Sequence, residues 1–143
     1  WPLNKGLYLF GGVGSGKSQI MYLFSAFASG TKKEFRFTRT PEVIERARNN
    51  ADFDAVQHLS CFSRCLDEVG FVDPVVAHYG NKTNVFEATI HNRYYKFQRT
   101  RQITHFTSNL GPGDLGASVD ERIADRLLEI CTPIKFHRES LRQ

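Results

Sequence analysis

The most specific chemistry in this sequence belongs to Gly11–Ser18, GGVGSGKS, which fits the spacing G-x-x-x-x-G-K-S/T. Glycines let such a loop take positive φ angles and bring backbone N–H groups close to an anion. A helix that starts here adds a partial positive charge aimed at the same point. Lys17 supplies a cation, and the Ser18 hydroxyl can bind a Mg²⁺ that bridges two phosphates. The pattern predicts a nucleotide phosphate loop rather than a glycine turn without a ligand.

Two adjacent carboxylates, Asp67 and Glu68, lie in the segment CLDEVG. A phosphate loop needs a metal-holding acid at the tip of a neighbouring strand. We therefore predict that Asp67 holds Mg²⁺ and that Glu68 orients and activates the attacking water. Ser63 and Arg64 interrupt the apolar run before the pair and leave the start of this strand uncertain. A solvent-exposed turn is the alternative, which the phosphate loop upstream disfavours.

A polar amide, Asn109, follows Thr107 and Ser108 at the end of the segment QITHFTSN. An amide at the end of a buried strand beside the loop can position the same water near the outer phosphate. The alternative is an asparagine that caps a turn, and spacing alone does not separate the two.

Two arginines, Arg122 and Arg126, are four residues apart on a predicted helix, where like charges repel weakly. Either the acidic residues Glu121, Asp125 and Glu129 compensate them in solvent-exposed ion pairs, or a nucleotide phosphate on a neighbouring subunit does. An arginine supplied in trans can speed phosphoryl transfer by about 10³- to 10⁵-fold.

The elements that must position these residues alternate between strand and helix. The predicted strands lie in KGLYLFGG, EFRFTRT, CFSRCLDEVG, QITHFTSN and Pro133–Phe136. Continuous apolar runs are typical of strands that are buried on both faces of a parallel sheet. The alternation predicts an α/β fold with a parallel sheet and helices on both faces.

Apolar residues at helical spacing predict four helices. They cover residues 16–29, a segment that opens at Pro41, Val85–Phe97, and a segment that ends near Ile130 and begins at a capping box of Ser118 and Glu121. The apolar faces are Ile20, Phe24, Phe27 and Ala28; Val43, Ile44, Ala47 and Ala51; Phe86, Ile90, Tyr94 and Phe97; and Val119, Ile123, Leu127 and Ile130. Residues 70–83 and the segment LGPGDLGAS are predicted loops.

The composition is that of an ordinary globular domain, with 143 residues, 41% of them hydrophobic and 24% charged. We predict one domain over residues 1–143. No apolar run approaches the ~18 residues of a membrane span, and no signal peptide is visible. Cys61, Cys65 and Cys131 include no C-x-x-C pair and are predicted to be reduced thiols in a reducing compartment, the cytoplasm.

Single-stranded DNA is a candidate partner because of the segment HNRYYKFQRTRQITH. The segment mixes basic and aromatic residues, namely Arg93, Lys96, Arg99, Arg101, Tyr94, Tyr95 and Phe97. A helical projection turns Tyr95 away from the core, where it is free to stack on a base. The net charge of +4 permits nucleic-acid contact. A solvated basic face is the alternative.

Taken together, these segments resemble the DnaC/IstB branch of AAA+ ATPases, the helicase loaders and transposition helpers. The matching blocks are GLYLFGGVGSGKS, CLDEVG, RYYKFQRTRQITHFTSNL, DERIADRLLE and FHRESLR, in the same order along almost the whole chain. Many families share the phosphate loop, whereas the RY…TSNL and ERIADRL…ESLR blocks are more particular to this branch. The blocks do not separate loaders from helpers.

The resemblance implies a P-loop NTPase sandwich with five parallel strands in the order 5-1-4-3-2 and a minimal or absent lid. It implies Mg-dependent ATP hydrolysis, with Asp67 as metal acid, Glu68 as catalytic glutamate and Asn109 as the first sensor. Arg126 would be the trans-acting arginine, with Arg122 as second candidate, and Arg142 would face the nucleotide. The expected nucleotide contacts of the loop are Gly11, Gly12, Val13, Gly14, Ser15, Gly16, Lys17, Ser18 and Gln19.

The implied partners are ATP or ADP, further copies of the chain, single-stranded DNA, and a replicative helicase or a transposase. Loaders typically bind the helicase through an arm that precedes this core, and residues 1–143 are expected to hold the core without that arm. Two other interpretations remain. One is a nucleotide-gated interaction module with little catalysis. The other is a small-molecule kinase, which is disfavoured because it needs a basic lid after the core and we expect a minimal lid or none.

Overall fold

The central strand of the sheet, β1 (Gly6–Gly11), carries the buried side chains of Tyr8 and Leu9 into two different core clusters. The computed structural model describes residues 4–137 of the chain. The other strands of the sheet are β2 (Arg36–Arg39), β3 (Arg64–Val69), β6 (Thr104–Ser108) and β7 (Cys131–Phe136), whereas β4 (Val75–His78) and β5 (Asn81–Asn84) form a hairpin. The helices are α1 (Lys17–Ala28), α2 (Thr40–Asn49), α3 (Ala55–Ser60), α4 (Val85–Thr100), α5 (Pro112–Ala117) and α6 (Glu121–Ile130).

All neighbours in the main sheet run parallel, in the order β2-β3-β6-β1-β7. Counting only these five strands along the chain, the order is the predicted 5-1-4-3-2. Parallel strands point the same way, so the carboxyl ends of β1, β3 and β6 meet at one edge of the sheet. This edge carries the phosphate loop, the acid pair and Asn109. The predicted fold class is confirmed.

The two faces of the sheet are covered unequally. The larger cluster packs residues from α2 to α6, such as Ile44, Ile90 and Leu127, against Tyr8 and Phe106 of the sheet. On the other face, α1 places Met21 and Ala28 against Leu9, Phe35 and Cys65.

The predicted apolar face of α1 is wrong in three of its four residues. Ile20 is 47% exposed and Phe27 86% exposed, Phe24 is also exposed, and Met21 is fully buried in their place. Apolar residues occur on every side of KSQIMYLFSAFA, so helical spacing alone did not identify the side that meets the sheet.

The predicted loop over residues 70–83 contains the β4–β5 hairpin. Its two-residue turn is Tyr79-Gly80, and both residues have positive φ, 51° and 81°. Such a turn suits the twist of a hairpin, but its usual sequence signal is Asn-Gly or Asp-Gly. Because tyrosine occupies the first turn position, the sequence did not predict this turn.

The capping box of Ser118 and Glu121 is not formed. Asp120 caps α6 by accepting a hydrogen bond from the backbone N–H of Arg122, 2.9 Å away. Ser118 instead ends α5, the short helix within the predicted loop LGPGDLGAS, and donates its hydroxyl proton to the carbonyl of Leu115. At the end of α2, Ala51 lies beyond the helix and is exposed, contrary to its predicted place on the apolar face.

Two arginines that look like surface residues in the sequence are structural. Arg64 begins β3 and is buried, with its guanidinium bonded to the carbonyl of Cys61 (2.9 Å) and to Thr38 Oγ1 (2.7 Å). Arg93 is fully buried and donates to the carbonyls of Leu59, Cys61 and Phe62 and to Thr104 Oγ1. Burial lowers the pKa of Arg93 to about 9. The prediction that Arg93 contributes to a nucleic-acid surface is therefore wrong.

The surface of α4 and the cysteines agree with what the sequence indicates. Tyr95 is 61% exposed, as predicted. Cys61, Cys65 and Cys131 are free thiols. No helix among residues 4–137 is long and apolar enough to cross a membrane.

His105 on β6 generates a prediction about pH. It is 7% exposed, burial lowers its pKa to about 4, and its Nδ1 accepts a hydrogen bond from the backbone N–H of Leu7 at 3.0 Å. An unfolded histidine takes up a proton near pH 6.5. Between these values the unfolded state binds more protons, so the stability that neutral His105 provides is present above pH 6.5 and is lost as the pH falls toward 4.

We expect the unfolding free energy of the wild type to fall by about 1 kcal/mol per pH unit more steeply than that of His105→Asn between pH 6 and pH 4.5. Asparagine can accept the same hydrogen bond and does not titrate. Urea unfolding at several pH values measures the slopes, with His91→Asn at an exposed position as control. Parallel curves for wild type and His105→Asn would contradict the prediction.

Candidate nucleotide-binding site

The loop from Gly11 to Gly16 joins β1 to α1 in a conformation that needs glycine. Gly11, Gly14 and Gly16 have φ angles of 134°, 76° and 88°. At Gly11, an added Cβ would also lie 2.4 Å from the carbonyl oxygen of Phe136. No side chain caps the start of α1, and its first turn has no acidic residue. The partial positive charge of the helix start therefore has no counter-charge from its own first turn.

Lys17, the first residue of α1, folds its side chain back over the loop. Its Nζ donates to the carbonyls of Gly11 (2.9 Å) and Gly12 (2.8 Å) and to Ser15 Oγ (3.1 Å). Only 7% of the residue is exposed. Burial lowers the pKa of Lys17, and the negative charge of Asp67 offsets part of that effect. The ammonium is thus held inside the loop, and a phosphate would exchange with some of these neutral acceptors.

The space above the loop fits a phosphate group. A Cβ added at Gly12 would meet no atom within 4 Å, and the φ of Gly12 lies outside the left-handed region. Neither packing nor backbone conformation requires glycine there, and glycine leaves the backbone open to close approach of a ligand. The adjoining cavity has a volume of about 420 Å³. It is lined by residues 13–19 of the loop and α1, by Glu68–Phe71 and by Thr107–Leu110. This volume lies in the range of small-molecule sites.

The acid pair lies at an irregularity at the end of β3. The register between β3 and β6 shifts between Leu66 and Val69, and Glu68 has a φ of 57°. A bulge at this point re-aims side chains that would otherwise alternate across the sheet. Glu68 consequently lines the cavity and is half-buried, whereas Asp67 is 2% exposed and is not one of the lining residues.

Thr107 on β6 links the two acids. Its hydroxyl donates to Asp67 Oδ1 at 2.5 Å and accepts from the backbone N–H of Glu68 at 2.9 Å. One hydroxyl therefore bonds both the buried carboxylate and the irregular backbone. The sequence placed Thr107 beside Asn109 but did not indicate this role.

Magnesium fits this site only together with phosphate oxygens. No group of three or more His, Cys, Asp or Glu side chains within residues 4–137 is arranged to hold a metal. Mg²⁺ commonly takes one or two protein oxygens and completes its shell with phosphates and water. Ser18 and Asp67 are the side chains that would contribute.

Arg39 is a site residue that sequence reasoning missed. It ends β2 in register with Asp67, and its Nη2 lies 2.9 Å from Glu68 Oε2. Glu42 Oε1 lies 3.5 Å from the same guanidinium. The sequence did contain a signal for this role, since Arg39 is a basic residue at the carboxyl end of the strand that neighbours the acid pair. The ion pair holds the Glu68 carboxylate toward β2.

Asn109 lies where predicted, exposed at the end of β6 and in the lining of the cavity. The turn behind it is fixed by two hydroxyls. Ser108 donates to the carbonyl of Val69 (2.6 Å), and Tyr8 donates to the carbonyl of Leu110 (2.9 Å). These two hydrogen bonds therefore fix the backbone on either side of Asn109.

The arginines of α6 do not line the cavity of their own chain. Arg122 forms an ion pair of 2.8 Å with Asp120. Arg126 contacts the ring of His91 and lies over the ring of Tyr94, 5.4 Å from its centroid. The compensating acid for Arg122 is thus the helix cap rather than the acids within the helix that the sequence suggested. Arg142 and most of the block FHRESLR lie outside the described residues.

The strand order and the loop at this edge of the sheet give the domain the fold of P-loop NTPases of AAA+ type. No protein-family model matches the chain, and no curated protein matches it. Solved structures do. DnaI superposes with a TM-score of 0.68 at 23% identity, covering 96% of this chain and 73% of that one. The DnaC helicase loader gives 0.68 at 18% identity, covering 93% and 78%.

DnaA from Aquifex aeolicus bound to AMPPCP gives a TM-score of 0.66 at 15% identity over 96% of this chain and 42% of that one. At these identities the likeness shows the fold that the chain shares with these proteins. A helicase loader, DnaC, is thus among the proteins that share the fold of this chain.

The bond network of Thr107 generates a stability prediction. Thr107→Val removes the donor to buried Asp67 and the acceptor for the Glu68 N–H. We expect a loss of about 1–3 kcal/mol of unfolding free energy, because a buried carboxylate and an N–H group lose their partner. Thr107→Ser keeps the hydroxyl and is the matched control. Chemical denaturation measures both, and a valine variant as stable as the serine variant would disprove the role of the hydroxyl.

Proposed function

We propose that this chain is an AAA+ ATPase core that binds and hydrolyses Mg-ATP, and that its nucleotide state controls assembly on DNA and the loading or remodelling of a replicative helicase. One observation carries the proposal. The phosphate loop with buried Lys17, Glu68 and Asn109 lines one cavity of about 420 Å³ at the carboxyl edge of the sheet, and Asp67 lies buried next to Glu68 in the sequence. The similarity in fold to a helicase loader and to an AMPPCP-bound DnaA supports it.

Each residue has a role that follows from its position. Lys17 neutralises phosphate charge once the phosphates replace its loop acceptors. Ser18 and Asp67 hold Mg²⁺, which when bound supplies positive charge to the phosphates. Glu68 accepts the proton of the attacking water, and Asn109 orients that water. Arg39 restrains Glu68, and loosening of their ion pair frees the carboxylate for this role.

Self-association is part of the proposal. Arg126 does not line the cavity of its own chain, and it is half-buried against His91 and Tyr94 on the α4–α6 side of the domain. We propose that Arg126 reaches the nucleotide of a neighbouring copy. Arg122 is the second candidate, although Asp120 already pairs with it. Arg142 is proposed to face the nucleotide.

The proposed macromolecular partners are single-stranded DNA and a replicative helicase, with the cytoplasm as the compartment. Exposed Tyr95 and the neighbouring Arg99 guanidinium, 5.4 Å from the Tyr95 ring centroid, are available for DNA. Lys96 is less available because its Nζ donates to the carbonyl of Ser60. A transposition helper of IstB type, with a transposase as partner, is the alternative that the residues of this site do not separate from a loader.

A nucleotide-gated module with little catalysis is the second candidate. The ion pair between Arg39 and Glu68 favours it, because the arginine holds the Glu68 carboxylate toward β2. In that case ATP would raise the melting temperature without release of phosphate.

ATP turnover separates these functions. We expect Glu68→Gln to lower kcat by about 10²-fold with little change in nucleotide affinity, because the base is lost and the phosphate contacts stay. Arg126→Ala should lower kcat at least about tenfold if it acts in trans. Lys82→Ala, an exposed change on the hairpin, is the control.

Mixing the two inactive variants tests the trans arrangement. Arg126→Ala subunits keep Glu68 and can receive Arg126 from a Glu68→Gln neighbour, so the mixture should recover part of the activity. If the wild-type protein binds ATP but releases no phosphate, only the function as a nucleotide-gated module is supported. Unchanged turnover in both variants would refute the assigned roles.

A further inference from the structure

A second cavity lies at the amino edge of the sheet, away from the phosphate loop. Four of its lining residues lie just before strands: Lys5 before β1, Phe35 before β2, Ser63 before β3 and Ile103 before β6. Its volume is about 350 Å³. No residue of the proposed ATPase site lines it.

The interior of this cavity is aromatic. Phe35 and His105 lie 4.4 Å apart between ring centroids, and Phe24 stands edge-on to Phe35 at 5.3 Å. Phe35 is buried, whereas Phe24 on α1 is 37% exposed. Phe24 therefore presents ring surface that a second flat ring could contact.

His105 supplies one polar group inside the cavity. Because Nδ1 accepts from the N–H of Leu7, the proton of the neutral ring is on Nε2. Burial lowers the pKa of His105 and so keeps the ring neutral at pH 7. The Nε2–H group has no protein partner within the described part of the chain. The cavity thus contains a neutral hydrogen-bond donor beside the rings, and Asn4 and Ser63 are further neutral polar residues of its lining.

The rim of the cavity is positively charged. Lys5, Lys32, Lys33 and Arg101 line it together with one acidic residue, Glu34. Glu34 Oε2 accepts from the backbone N–H of Gly30 at 2.9 Å. Arg101 directly follows α4, so the rim continues the basic end of α4 that carries Arg99 and Tyr95.

We propose that this cavity is a single-stranded nucleic-acid site that takes one base. The base contacts Phe24 and accepts a hydrogen bond from His105 Nε2–H, and the rim cations Lys32 and Arg101 hold the flanking phosphates. The inference deepens the proposed function, since it rests on nucleic acid being a partner, and it does not depend on ATP hydrolysis. Aromatic rings beside a basic track are the usual elements of single-strand binding.

The distribution of charge favours a nucleic acid over an acidic peptide. The charged residues of the lining are four cations and one carboxylate, whereas the polar residue that packs against the rings, His105, is neutral. A carboxylate inserted there would lose its hydration without meeting a charged partner, which is costly. A base is neutral and planar, and its carbonyl needs one donor.

Fluorescence anisotropy of a labelled oligothymidylate tests the site on the full chain. We expect Phe24→Ala to weaken binding about tenfold, because base–aromatic stacking is removed. Lys32→Ala with Arg101→Ala should lower the dependence of log affinity on log salt by about 0.7 for each phosphate that the variant no longer binds. The matched controls are Phe27→Ala, on the same helix and 86% exposed, and Lys82→Ala on the hairpin.

Photo-crosslinking locates the base directly. An oligonucleotide with 5-iodouracil should crosslink to the peptides that contain Phe24 or His105. Three results would each overturn the proposal. Crosslinks could be confined to Tyr95, the test and control variants could weaken binding equally, or polyglutamate could displace the labelled oligonucleotide as effectively as unlabelled oligonucleotide does.

Failure here is distinguishable from failure of the proposed ATPase function. Phe24→Ala should leave ATP turnover measured without DNA unchanged, because Phe24 does not line the nucleotide cavity. Loss of ATP binding with intact oligonucleotide binding would refute the ATPase and leave this site standing.

Discussion

The structure depends on keeping one ammonium group, that of Lys17, nearly out of water at the end of the central strand. A buried cation must be satisfied by hydrogen bonds or by opposite charge, since an isolated one is very costly. Two loop carbonyls and a hydroxyl solvate Lys17, and Asp67 supplies negative charge nearby. The neutral acceptors compensate the cation only partly, which leaves it suited to an anion of higher charge density. Nucleotide phosphates carry that charge.

Positioning of the remaining groups follows from the parallel sheet. Its strand order puts β6 between β1 and β3, so Thr107 can bridge to the acid pair while Asn109 reaches the cavity. The bulge at Glu68 separates two neighbouring carboxylates into a buried one and a cavity-lining one. The two acids can thus perform different tasks although they are adjacent in sequence. Strain in a backbone with positive φ at a non-glycine residue is typical of functional sites.

Much of this arrangement could be predicted from the sequence, because the phosphate loop and the alternation of strands and helices are local patterns. The strand order came from family resemblance rather than from periodicity. What escaped prediction depends on tertiary contacts. The buried roles of Arg64 and Arg93 require carbonyls that other segments supply, and the Arg39–Glu68 pair requires the register of β2 with β3. The Tyr79-Gly80 turn escaped because tyrosine stands where asparagine or aspartate is usual, and the Asp120 cap escaped because Ser118 and Glu121 carry the pattern of a capping box.

The most direct test of the account is the heat of binding when Mg-ATP is titrated into the protein. We predict saturable binding by the wild type, at least about tenfold weaker binding by Lys17→Ala, and unchanged binding by Lys135→Ala, an exposed lysine on β7. Circular dichroism should show that all three proteins are folded. No heat with the wild type, or equal affinity in Lys17→Ala, would contradict the account.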